Sequence, residues 1–216
     1  MSDPPLLLGH RGARASTSVP ENTLVSFDLA LEHGCDGFEF DVRLTGDGRC
    51  VICHDPTVDD VTVCRAEVNQ LTHLALLNDV LQRYGQRGFL DIELKVAGLE
   101  SKVLNALREY RFEQDYVVSS FLPEVVMELK TRSQKIQAGI ICDKAGQLAC
   151  WRETNAEYVI PHHRLVTHDL VKEVHSAGRK LLTWTVNDQK EMLRLGDCGV
   201  DGIISDDTEL LVGTFH

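Results

Sequence analysis

Eight short apolar runs, each followed by a stretch in which apolar residues recur at helical spacing, constrain this chain more than any other feature. The runs at residues 6–9, 37–42, 89–95, 116–120, 136–142, 158–161, 180–185 and 202–205 read as strands. The intervening stretches at 21–33, 77–84, 100–110, 123–132, 146–154, 168–177, 188–195 and 208–212 read as helices. Parallel strands need crossover connections, usually helical, so this alternation predicts an α/β fold with a parallel sheet. Eight units predict a (β/α)8 TIM barrel at the small end of its size range, with an open doubly wound sheet as the competing arrangement. Asn187-Asp188 offers an N-cap to the seventh helix, and Gly34, Gly178 and Gly196 stand where C′ residues would. A further short strand at 50–53 is expected to pair with the end of the second strand across the turn-rich segment 45–48, making a small β-hairpin insertion. Without a Pro-, Gly- or Ser-rich linker, a repeat or a low-complexity tract, residues 1–216 read as a single domain.

The charge balance excludes some partners. Twenty-two Lys and Arg against 33 Asp and Glu give a net charge of −11, which disfavours nucleic acid and stable association with an anionic membrane. An anionic substrate would therefore need a cation, or a local group of Arg and Lys, to reverse the field. The amino terminus lacks a secretory pattern, and no apolar run approaches transmembrane length, so a cytoplasmic location is expected. Seven scattered cysteines read as reduced thiols. Cys50-Val51-Ile52-Cys53 has the CxxC spacing, but side chains three apart on a strand face opposite ways, so the pair reads as packed thiols rather than a metal or redox site.

Strand parity concentrates acids. In Gly37-Phe38-Glu39-Phe40-Asp41-Val42, Glu39 and Asp41 share one face and the apolar residues the other. The same parity recurs in Leu90-Asp91-Ile92-Glu93-Leu94-Lys95-Val96, where Asp91, Glu93 and Lys95 share a face. One such strand is equally well an amphipathic strand with a solvated face; two in a barrel deliver acids to one interior. Two carboxylates about 4 Å apart repel by roughly 4 kcal/mol at an effective dielectric of 20, so the cluster should bind protons or hold a cation. Oxygen ligands favour Mg²⁺ or Ca²⁺, with Mn²⁺ also compatible, over zinc.

His10 and His54 each follow an apolar run, at a strand end, and two imidazoles beside an acid cluster suit general acid–base catalysis. Arg11 offers a planar fork to phosphate oxygens, and Lys95 a compact charge that either meets substrate or pairs with Glu93. Phe121 and Trp184 are candidates for lining a pocket, with ordinary packing as the alternative. His162-His163 is a weaker candidate after the sixth strand, and His33, His73, His163, His168 and His175 read as surface residues without acid partners.

Taken together, His10-Arg11-Gly12, Pro20-Glu21-Asn22-Thr23, Glu39-x-Asp41, His54-Asp55-Pro56 and Glu93-x-Lys95 resemble the glycerophosphodiester phosphodiesterases. The resemblance runs nearly the whole chain, through Trp184-Thr185-Val186-Asn187 and Asp201-Gly202-Ile203-Ile204-Ser205-Asp206. It implies a TIM barrel with one divalent cation on Glu39, Asp41 and Glu93, phosphate contacts from Arg11 and Lys95, and acid–base work by His10 and His54. The implied reaction converts a small glycerophosphodiester to glycerol 3-phosphate and an alcohol. Two departures leave the head group open: Thr57-Val58-Asp59-Asp60-Val61-Thr62 replaces an Arg-Thr-Thr-like run, and the segment between His54 and Glu93 is shorter than is usual in the family. Competing readings are a lysophospholipase D-type enzyme on lipid substrates, a non-catalytic phosphodiester-binding barrel, and another metal-dependent barrel enzyme such as an aldolase. Nothing in the sequence sets the oligomeric state.

Overall fold

The computed structural model describes residues 4–110 and 115–216. Eleven strands and eight helices are described: β1 (Leu6–His10), α1 (Leu24–Glu32), β2 (Gly37–Leu44), β3 (Cys50–Ile52), β4 (Thr57–Val58), β5 (Val61–Thr62), α2 (Leu77–Tyr84), β6 (Phe89–Leu94), α3 (Glu100–Glu109), β7 (Tyr116–Ser120), α4 (Pro123–Arg132), β8 (Ala138–Cys142), α5 (Cys150–Glu153), β9 (Tyr158–Pro161), α6 (His168–Ser176), β10 (Lys180–Thr183), α7 (Gln189–Cys198), β11 (Gly202–Ser205) and α8 (Thr208–Phe215). Strands β1, β2, β6, β7, β8, β9, β10 and β11 pair in parallel in that order, and β11 returns to β1, closing the barrel. Closure excludes the open doubly wound sheet.

Alternate residues of each strand serve two cores. Outward Phe38 and Phe40 of β2 pack with Phe27 of α1 and Tyr84 of α2, the Phe27 and Phe38 rings stacked 4.3 Å apart. Inward Leu8, Phe89, Val117, Tyr158 and Leu182 form an apolar floor that seals the barrel beneath the polar layer. Gly37 belongs to this inner wall because a Cβ there would stand 1.9 Å from the carbonyl oxygen of Phe89, so only hydrogen permits β2 and β6 to meet in their observed register.

The β-hairpin lies where expected: β3 runs antiparallel to β2, with Arg43 opposite Val51 and Leu44 opposite Cys50. A second hairpin, β4–β5, turns through Asp59 and Asp60, both at positive φ as a type I′ turn demands. Other boundaries moved. Helix α1 begins at Leu24 rather than Glu21, because Asn22 takes φ +58° and Thr23 caps the helix by accepting the Ser26 N–H. Gly196 lies inside α7, and Gly199, at φ +82°, ends that helix. The helix expected at 146–154 is a 3₁₀ turn and the single-turn α5, since the Gln147 side chain binds the backbone N–H groups of Asp143 and Lys144.

Candidate active site

Register converts strand parity into a cluster. Glu39 lies beside Asp91 and Asp41 beside Glu93 across the β2–β6 ladder, while His10 of β1 lies beside Glu39. Glu39, Asp41 and Glu93 are buried, and each offers an oxygen within 4.8 Å of the others. Burial, then repulsion from Asp41 and Glu93, raises the Glu39 carboxyl well above its ordinary range. Burial followed by Asp41 pushes Glu93 up to about 7, and burial does the same to Asp91, whose Oδ1 accepts the Ser119 hydroxyl at 2.5 Å. For Asp41, burial pulls upward, but Lys95, Arg11 and the Asn22 amide outweigh it and hold the carboxyl below its usual range.

The surrounding cations are fixed by a turn with unusual backbone. Arg11 (φ +54°) and Gly12 (φ +82°) follow one another in the left-handed region, aiming the Arg11 N–H at Glu39 Oε2, 3.1 Å away. The Arg11 guanidinium donates to Glu21 at 2.7 Å, and its Nε stands 3.2 Å from Asp41 Oδ2. Lys95 Nζ lies 2.6 Å from Glu93 and 3.3 Å from Asp41, and 5.7 Å from the Phe121 ring centroid. Asn22 braces Asp41 twice, donating from Nδ2 at 2.8 Å and accepting the Asp41 N–H at 3.2 Å.

Beside Asp41 lies one cavity of about 190 Å³. His10, Arg11, Glu39, Asp91, Glu93, Lys95 and His54 form its polar wall, while Phe121, Trp184, Ile141, Ile160 and Ile204 form an apolar one. His10 Nε2 is 3.8 Å from Glu39 Oε2, and His54 sits at the more open rim with Nδ1 2.8 Å from Asp55. The residues fit a hard divalent cation on their own chemistry: three buried carboxylates converge, Glu39 Oε1 is buried without a hydrogen-bond partner, and the buried Asp41 Oδ1 makes no hydrogen bond and faces the Lys95 ammonium at 3.3 Å.

The family model for the glycerophosphoryl diester phosphodiesterase family matches residues 10–80 and 77–210. A glycerophosphodiester phosphodiesterase from Caldanaerobacter subterraneus subsp. tengcongensis is 33% identical, with 96% of each chain covered. This chain belongs to the glycerophosphoryl diester phosphodiesterase family. Among solved structures, a phosphodiesterase from Oleispira antarctica in complex with the product sn-glycerol 3-phosphate is 25% identical, with a TM-score of 0.85 over 98% of this chain and 96% of that one. The fold is also that of a glycerophosphodiester phosphodiesterase from Thermotoga maritima, with a TM-score of 0.86, 24% identity and 99% of each chain covered.

Within this phosphodiesterase barrel, every candidate from the sequence, His10, His54, Arg11, Lys95, Phe121, Trp184, Glu39, Asp41 and Glu93, lines the cavity or joins the acid cluster beside it. Trp184 is oriented by donating its indole N–H to the Ile160 carbonyl and meets Phe121 edge-on at 5.4 Å. His162 and His163 stack behind Trp184 rather than on the cavity wall. The histidines read as lacking acid partners need correction: His33 meets Glu209, His73 meets Asp59, His163 meets Glu191 and His175 meets Asp201. Those acids come from other elements or loops, beyond the reach of local spacing. Glu21, Asn22 and Asp206 lie within the Pro20–Thr23 and Asp201–Asp206 motifs, but local spacing assigns none of their side chains a role. Among the described residues, no helix is long and apolar enough to cross a membrane.

Proposed function

We infer that this single-domain chain hydrolyses small glycerophosphodiesters to glycerol 3-phosphate and an alcohol, with His10 and His54 as its acid–base pair. The observation that carries this reading is one pocket in which both imidazoles stand beside three converging carboxylates, in a member of a family described by that reaction. Product bound to the Oleispira antarctica relative supports a small-molecule substrate.

Glu39, Asp41 and Glu93 would hold one divalent cation, Mg²⁺ or Ca²⁺ by their oxygen chemistry, with Mn²⁺ tolerated. Bound there, the ion supplies positive charge that neutralises the phosphodiester. Arg11 and Lys95 add positive charge from the chain itself, and both stay protonated because the acids around them outweigh the effect of burial. One histidine takes a proton from the nucleophile, either a water or the glycerol hydroxyl next to the ester, and the other returns one to the departing alcohol; on the hydroxyl route the cyclic phosphate formed is then opened by water to glycerol 3-phosphate. Phe121, Trp184 and the three isoleucines keep the opposite side of the pocket apolar and exclude water from it. Seven free cysteines and the acidic balance suit a reducing cytoplasm and a small-molecule partner, rather than nucleic acid or a membrane surface.

Release of glycerol 3-phosphate from glycerophosphocholine and glycerophosphoethanolamine, assayed with Mg²⁺, Ca²⁺, Mn²⁺ or EDTA, tests the reading. Metal-dependent release that drops at least roughly a hundredfold in His10→Ala and in His54→Ala, with metal binding retained, is expected. No release with any of the three ions overturns it. The apolar wall favours lysophospholipids as a second substrate class, and lysophosphatidylcholine separates the two, since its cleavage releases choline and lysophosphatidate rather than glycerol 3-phosphate.

A further inference from the structure

The two histidines are supported unequally from behind. His54 is 36% exposed and bonds the adjacent Asp55, itself 71% exposed, whereas His10 and its partner Asp206 are only 13% and 17% exposed. Asp206 follows the last barrel strand, β11, and its Oδ1 lies 2.7 Å from His10 Nδ1 across 196 positions of sequence. Arg14 Nη1, from the loop after β1, donates to the same Oδ1 at 3.1 Å. Asn187, from the segment after β10, donates its Nδ2 to Oδ2 at 2.7 Å. The Asn187 amide cannot turn around, because its Oδ1 already accepts the Asp206 N–H at 2.9 Å and the Ser205 hydroxyl at 3.0 Å.

Both oxygens of Asp206 therefore face groups that donate, and only a carboxylate satisfies every one of them. Its acceptor-only character makes His10 Nδ1 a donor, which in the neutral ring leaves the lone pair on Nε2, the nitrogen turned towards Glu39 and the cavity. We propose that Asp206 is the positioning residue of this site: clamped by Asn187 and Arg14, it holds the His10 imidazole as the Nδ1–H tautomer and presents a bare Nε2 to the substrate. Asp206 does not line the cavity and acts through His10. An asparagine at 206 would have to set its amide nitrogen against either Asn187 Nδ2 or His10 Nδ1 and Arg14, a donor against a donor in each orientation.

This proposal rests on the phosphodiesterase reading above, and the test keeps the two apart. The Mg²⁺-loaded wild type and Asp206→Asn are compared by kinetics on glycerophosphocholine, by Mg²⁺ calorimetry and by long-range ¹H–¹⁵N spectra that report the His10 ring tautomer. The expected result is a roughly hundredfold fall in kcat, with KM and Mg²⁺ affinity within about threefold of wild type, as for a group acting on the chemical step. The Nδ1–H form dominant in wild type is then lost or mixed in the variant. Unchanged kcat, a rise in KM alone, or a lowered kcat with the Nδ1–H tautomer intact overturns the proposal. Should Asp206→Asn fail to fold by circular dichroism, Asn187→Ala, which removes the clamp on Oδ2, carries the same expectation with a kcat loss of about tenfold. Absence of wild-type hydrolysis with Mg²⁺, Ca²⁺ and Mn²⁺ alike marks failure of the functional reading; wild-type hydrolysis with an unaffected variant marks failure of the proposal alone.

Discussion

Replacing Glu39 with glutamine should move thermal stability in opposite directions with and without metal. Glu39, Asp41 and Glu93 each have an oxygen within 4.8 Å of the others, so a fully charged pair repels by about 3.5 kcal/mol at an effective dielectric of 20. Partial protonation and water entry relieve most of that, leaving an expected gain of about 1 kcal/mol for Glu39→Gln in EDTA, or about 2–4 °C in Tm for a domain of this size. Glutamine keeps an oxygen for the Arg11 N–H, so the left-handed turn is not disturbed. Metal acts the other way. At a metal concentration of about one hundred times Kd, binding stabilises wild type by about 2.7 kcal/mol, or roughly 5–11 °C. Loss of one of three ligand charges weakens affinity on the order of a hundredfold, so at the same concentration the variant gains only about 0.4 kcal/mol. Thermal unfolding in EDTA and across a Mg²⁺ or Ca²⁺ titration measures both limbs. A variant less stable than wild type in EDTA, yet keeping the full metal-induced rise, would refute both the frustrated cluster and its role as ligand set.

Gly12→Ala should lower stability by more than 2 kcal/mol in urea denaturation, on the order expected for a strained backbone plus a clash, because its Cβ would stand 2.3 Å from Ser26 Oγ at φ +82°. Lys130→Met should cost about 2–4 kcal/mol, read as a lowered urea midpoint at unchanged m: the buried ammonium donates to the Gln134 and Ile136 carbonyls and to Glu157, which would lose that partner together. In acid, Glu191 is pushed down to about 2, chiefly by its hydrogen bond from Arg194 and, despite burial, by His163 as well. Its folded pKa lies below the ordinary 4.5, so its contribution is complete above that pH and is lost as pH falls towards 2. Arg194→Ala should therefore flatten the fall of Tm between pH 4.5 and 2, and an unchanged slope would remove the pair from the acid limb.

Legibility in the sequence followed the range of the interaction. Strand parity is local, so Glu39 and Asp41 on one face of β2, and Asp91, Glu93 and Lys95 on one face of β6 and its end, were readable before any fold was known. Helix ends are partly readable: Asp188 does cap α7, but Gly196 does not end it, because one glycine within a helix looks locally like another at C′. The partners of His33, His163 and His175 were not readable, since a side chain's neighbours across a barrel depend on which loops meet. Asn22 belongs to a motif legible in the sequence, but its bracing of Asp41 is not, because that depends on its left-handed backbone and on the N–H it donates to the Arg11 carbonyl.

The chain's periodicity determined, by itself, that eight strand–helix units would form and which residues each strand would turn inward, because side-chain direction along a strand obeys a period of two whatever surrounds it. Closure and register were decided only in three dimensions. They set Asp41 beside Glu93, brought β11 back against β1, and so laid Asp206 on His10 with Asn187 and Arg14 around it. Those pairings arise from packing the whole barrel on its apolar floor, and no short window of sequence contains the elements that must meet.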